Sequence, residues 1–166
     1  MDQLYPLDLE RAHAKIKALK PDVVAFWGNG TESQQLLIEG DAPMALIWNT
    51  RARLIEEDTG GDVTFTWNEG LISPGALGVL KDNPAGPEAA MQFIAFTHEP
   101  QRQLVMFEML GQAPANPATD ALIPEDQRRF NAMEPENAAK QVALDMAWYE
   151  EHYASALDEY LAVVSS

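Results

Sequence analysis

An α/β fold is predicted by two features of the sequence: amphipathic stretches of helical period alternate with short β-branched and aromatic runs, and Gly- or Pro-rich turns separate them. No internal repeat interrupts that order. At 166 residues and 46% hydrophobic, the chain can bury one ordinary core as a single compact unit.

The elements follow in turn. Asp8 to Lys20 sets Leu9, Ala12, Ile16 and Leu19 on one helical stripe, and Pro21 stops it. Asp22 to Trp27 reads as a buried strand closed by Gly28-Asn29-Gly30. Thr31-Glu32-Ser33-Gln34 matches a capping box, with Gln35 to Glu39 continuing a helix. A second strand is predicted over Pro43 to Trp48, then a helix over Thr50 to Asp58 capped by Asn49. Val63 to Trp67 alternates with period two, and Ala76 to Leu80 is a Gly- and Pro-punctuated strand.

Two helices come next. The first runs about Pro87 to His98, with Ala90, Met91, Ile94 and Ala95 facing inward, and the second runs about Pro100 to Leu110, ended by Gly111. Gln112 to Pro117 is a proline-held extended segment. The remainder predicts two short Pro- and Glu-started turns, then one long helical stretch from Pro135 onward.

Composition excludes several functions. Lys and Arg total 11 against 26 Asp and Glu, a formal charge of −15, which argues against nucleic acid or an anionic membrane as partner. No apolar run reaches the roughly 18 to 20 residues that span a bilayer, and Met1 to Pro6 lacks the basic and apolar regions of a secretory signal. With no cysteine, disulfides, thiolate catalysis and Cys-bound zinc are all absent.

Motifs for chemistry are sparse. Gly28 to Ser33 follows a predicted strand and opens a helix, yet lacks the third glycine of a dinucleotide fingerprint and the lysine of a P-loop. Its helix N-terminus could still hold an anionic or hydroxyl group of a ligand. Pro74 blocks a nucleophile elbow at Ser73. His13, His98 and His152 show no metal spacing and read as solvated, and Glu56-Glu57-Asp58 and Glu150-Glu151 read as exposed helix faces. No enzyme, metal or cofactor is therefore expected. The informative set is aromatic: Trp27, Trp48 and Trp67 each end a predicted strand, at the sheet edge where α/β folds bind ligands.

Leu4 to Ala12, Val23 to Trp27, Leu36 to Asp41, Ile47-Trp48-Asn49, Trp67 to Gly70, Ala89 to Phe96 and Pro114 to Pro117 resemble, in order, the extracellular solute-binding proteins of ABC transporters. The subgroup most similar is the spermidine/putrescine-binding type. The resemblance implies a type II periplasmic-binding-protein fold, present in part, since the matching segments belong to the C-terminal half. Met1 is thus expected to mark a truncated reading frame or a fragment. By the same resemblance, residues 1–73 belong to the C-terminal lobe, 74–116 to the N-terminal lobe, and 117–166 return to the C-terminal lobe.

The implied function is capture of a small solute, a polyamine-like amine above all, in an interlobe cleft and its delivery to a membrane permease in the periplasm. Trp48 matches the tryptophan that stacks on the aliphatic amine. Where polyamine binders place a tryptophan and an aspartate, this chain has Ser73 and Gly75; Gln112 stands at a tyrosine position, and Tyr149 falls near a polar contact on the C-terminal helix. The expected ligand-binding set is Trp48, Trp27, Thr31, Ser73, Gln112, Asn116 and Tyr149. Glu69 is the nearest carboxylate for a buried ammonium. The alternative is a stand-alone domain that self-associates through exposed lobe surface.

Overall fold

A computed structural model describes residues 4–166. They group into two compact units, Met1–Ala45 with Ala143–Ser166, and Leu46–Val142.

In the first unit α1 (Leu9–Leu19) packs on α7 (Met146–Ser165). The Asp8 carboxylate accepts the Arg11 N–H at 2.9 Å and so caps α1; the helix stops before Pro21, as the sequence predicts, and Pro21 sits in a 3-10 turn. Lys20 Nζ donates to the Ser166 carbonyl at 2.8 Å, placing a cation on an orphan acceptor at the end of α7. His13, expected to be solvated, is instead only 15% exposed and lies 3.7 Å from Glu159, because its helix face is the one that meets α7. Between them α2 (Gly30–Ile38) begins earlier than the Thr31 reading places it. Asn29 is the cap, accepting from the Thr31 and Glu32 amides at 3.1 and 3.0 Å, while Glu32 reaches back to the Gly28 N–H at 2.9 Å. The same Asn-x-x-Glu reciprocity, shifted by two residues, is legible in the sequence.

The second unit holds the core. Phe107, Ile123 and Phe130 form a buried cluster against which Phe65 and Leu104 pack. Phe107 lies on α5 (Pro100–Leu110), while Ile55 and the buried Arg53 lie on α3 (Asn49–Asp58). Two 3-10 turns, Pro117–Leu122 and Glu125–Phe130, supply Ile123 and Phe130, matching the Pro- and Glu-started turns. Gly111 closes α5 at φ 67°, the left-handed conformation that glycine adopts without strain. The Arg129 guanidinium holds the Glu56 carboxyl below its usual range, helped by a Thr64 hydroxyl donated at 3.1 Å and opposed by burial.

Three expectations change. No residue of α4 (Gly86–Thr97) is fully buried: of the four expected inward, Ala90 and Ile94 are half-buried, whereas Ala95 and Met91, the latter 56% exposed, face water. The helix read from Pro135 is interrupted: α6 (Pro135–Ala138) stops, Val142 donates to the Gly70 carbonyl at 2.8 Å, and Asp145 caps α7 afresh. That bond joins β1 (Leu71–Ile72) to β2 (Val142–Ala143), a two-stranded sheet. Asp22 ends the 3-10 turn, and the runs at 23–27, 43–48, 63–67 and 76–80 are extended without being strands, because an extended run becomes a strand only when a neighbour completes its ladder.

Candidate functional site

In the second unit Trp48 is the N-cap residue of α3, with φ −65° and ψ 135° turning the chain out of the helix. The residue is 56% exposed, unusual for the largest apolar side chain. The next residue, Asn49, donates from its carboxamide to the Gly111 carbonyl at 2.8 Å. Gln112, exposed, follows directly in the chain. The structure thus ties the segment carrying Trp48 to the segment carrying Gln112.

Asn116 stands at the far end of that segment. Its side chain donates to the His98 carbonyl at 2.9 Å and accepts the Ala118 N–H at 3.0 Å, while its backbone N–H donates to Gln103 at 2.8 Å. These bonds hold the proline-flanked loop against α5 and cap the following 3-10 turn. Ser73 lies just past β1 and is exposed. Trp67 differs from Trp48: its indole N–H donates to the Arg129 carbonyl at 2.9 Å and its ring meets Phe65 edge-on at 5.2 Å. That ring is committed to packing.

In the first unit Trp27 is half-buried and Thr31 exposed, on either side of the Asn29 cap. Because Asn29 already occupies two amides at this helix start, the N-terminus of α2 has less to offer an anion than the sequence suggests. Tyr149, half-buried in the first turns of α7, meets Tyr5 edge-on at 6.2 Å and Trp148 at 5.1 Å.

Burial first, and the Tyr5 phenol second, push the Tyr149 hydroxyl up to about 12 from its ordinary value of about 10. The native state therefore keeps its proton where the unfolded chain has lost it, so this contribution to stability is present below pH of about 10 and declines as pH rises toward about 12. Tyr149→Phe should flatten that decline relative to the parent in urea midpoints taken between pH of about 9 and 12; parallel curves for the two proteins would refute the linkage.

Among the described residues, no group of three or more His, Cys, Asp or Glu could hold a metal ion, and no helix is long and apolar enough to cross a membrane. A groove of about 310 Å³ lies between Leu77, Val79 and Leu80 on one side and Ala90, Phe93 and Ile94 of α4 on the other. It contains no charged side chain and none of the predicted site residues. Glu69 is exposed and holds a left-handed φ of 58°.

The sequence model for bacterial extracellular solute-binding proteins matches residues 1–129. A gamma-aminobutyric acid-binding protein of Pseudomonas aeruginosa is 30% identical over 147 residues, which cover 89% of this chain and 41% of that protein. The spermidine/putrescine-binding periplasmic protein of Escherichia coli is 24% identical over 157 residues, covering 89% and 44%. Among solved structures, an ABC transporter substrate-binding protein from Bradyrhizobium japonicum superposes with a TM-score of 0.89 at 30% identity, covering 97% of this chain and 50% of that one. A GABA receptor gives 0.86 at 31% identity, covering 98% and 49%. The chain spans about half the length of the relatives it matches.

Proposed function

Because the chain belongs to the bacterial extracellular solute-binding protein family and has part of a type II periplasmic-binding-protein fold, we propose that it serves as the solute-binding component of an ABC importer for a small aliphatic amine. GABA and putrescine, for which the GABA-binding and spermidine/putrescine-binding relatives are named, share a primary ammonium on a short unbranched chain. An ammonium of that kind stacks on an exposed indole face, and the half-exposed Trp48 is the observation that carries this reading. Gln112, Ser73 and Asn116 are the hydrogen-bonding and wall residues of this reading, and Trp27, Thr31 and Tyr149 complete its ligand-binding set. Residues 1–73 and 117–166 are assigned to one lobe and 74–116 to the other. The compact units follow contacts within these 166 residues, whereas the lobes belong to the whole receptor.

In this reading the protein binds without performing chemistry, works in the periplasm and hands its solute to a membrane permease. The departures at Ser73, Gly75 and Gln112 weigh against the polyamines and toward a monoamine such as GABA, since the aspartate that would pair an ammonium is replaced. The test is a thermal melt followed by tryptophan fluorescence, alone and with GABA, putrescine or spermidine. A ligand that binds only the native state raises the midpoint. A selective rise with GABA or putrescine supports the proposal; a cooperative melt unmoved by all three counts against solute binding by this chain.

A second reading rests on a separate observation. Met44, Leu46, Leu80 and Met109 are 85%, 71%, 82% and 67% exposed, more apolar side chain than a monomer usually shows to water. Self-association through these surfaces would appear as concentration-dependent mass in sedimentation, without any response to amines.

A further inference from the structure

We propose that Asn49 is a positioning residue for the solute site, holding the Gly111–Gln112 peptide in a fixed orientation relative to Trp48. The inference rests on the amine-binding reading of Trp48 and Gln112. Asn49 and Gly111 are 62 residues apart, yet the carboxamide meets the carbonyl at 2.8 Å in a partly buried setting. A peptide bond is planar, so fixing the Gly111 carbonyl fixes the plane that contains the Gln112 N–H and sets the direction in which Gln112 leaves it.

One turn further along α3, Arg53 adds a second tie. Its Nη1 donates to the Phe107 carbonyl at 2.8 Å, the same oxygen that accepts the Gly111 N–H at 2.8 Å. The guanidinium is itself located by Glu57 at 3.0 Å and by the Phe130 ring at 4.9 Å. Two carbonyls at the C-terminal end of α5, those of Phe107 and of the capping Gly111, thus take side-chain donors from α3, the Phe107 oxygen in addition to its helical partner. Gly111 completes the fit: a Cβ there would stand 3.1 Å from Arg53 Cδ, in addition to facing a φ of 67°. Trp48 precedes Asn49 and Gln112 follows Gly111, so the clamp sets the two ligand-facing residues in register.

A merely structural Asn49 would lower stability and leave Gln112 independent. A positioning Asn49 acts through Gln112, and that difference is measurable. In the full chain, Asn49→Ala should lower the ¹⁵N order parameters of Gln112 and Ala113 from the rigid range, about 0.85, toward below about 0.6, with α1 unchanged. The dissociation constant for GABA or putrescine should rise roughly tenfold, and Gln112→Ala should have no further effect in that background. Additive effects of the two substitutions, or unchanged order at Gln112, would overturn the proposal. Asn49→Asp keeps the shape without the donor and replaces the alanine variant if that one loses its cooperative melt. If the parent responds to neither amine, the solute reading fails, while the order parameters still decide whether Asn49 holds the peptide.

Discussion

Replacing Phe107 with alanine is expected to destabilise the second unit by about 3–5 kcal/mol, the range for removing a buried phenyl ring. Phe107 is 0% exposed and stands at the centre of the cluster with Ile123 and Phe130. Its removal takes away the transfer free energy of the ring and leaves a cavity whose walls are held by 3-10 turns and by α5. The Arg53 guanidinium, 5.5 Å from the ring, loses one of its two aromatic partners. Only seven apolar side chains are buried among the described residues, so no second cluster of comparable size can compensate. The midpoint of a thermal melt should fall by about 6–20 °C for a chain of this size. Met44→Ala, at a side chain 85% exposed, should stay within about 0.5 kcal/mol of the parent. A Phe107→Ala protein melting within about one degree of the parent would show that the core lies elsewhere.

The helices of this fold are written locally and were readable. Asp8, Pro21, Pro87, Pro100 and Gly111 start or stop them where the sequence predicts, because capping and chain stereochemistry involve residues three or four apart. The strands were not readable in the same way. Val23-Val24 and Leu46-Ile47 have the composition of strands, but a ladder depends on which neighbour lies alongside, and the relatives are about twice as long as this chain. Val24, Leu46 and Leu80 are 58%, 71% and 82% exposed, and no ladder forms at any of them among the described residues. The long helix predicted from Pro135 failed for a nonlocal reason as well, since Val142 is drawn to the Gly70 carbonyl, 72 residues away in sequence.

The candidate site divides along the same line. The sequence singles out Trp48 by its Trp-Asn context, whereas it does not show the bond from Asn49 to Gly111, because nothing in sequence marks two residues 62 apart as partners. Arg53 was harder still. Its spacing to Glu57 reads as an ordinary exposed helix pair, yet its side chain is 10% exposed and sits between two phenyl rings and a backbone carbonyl.

Trp48→Ala should weaken binding of GABA or putrescine by roughly 1 to 3 kcal/mol, about 5- to 150-fold, while changing the melting midpoint of the unliganded protein little. The separation of the two effects follows from exposure. With Trp48 56% exposed, the larger part of the side chain has no burial to lose, so on the proposed reading its main value lies in what it stacks on. Trp67→Ala should do the reverse, because that indole donates to the Arg129 carbonyl at 2.9 Å and packs on Phe65; its loss lowers stability before it touches binding. Trp48→Phe should fall between parent and alanine, since a phenyl face attracts an ammonium less strongly than an indole. An affinity that is unchanged in Trp48→Ala would place the amine elsewhere. An affinity lost together with the cooperative melt would mean that Trp48 supports the fold, against its exposure. Only weakened binding on an intact fold, graded from tryptophan through phenylalanine to alanine, identifies the ring at the head of α3 as the surface on which the solute rests.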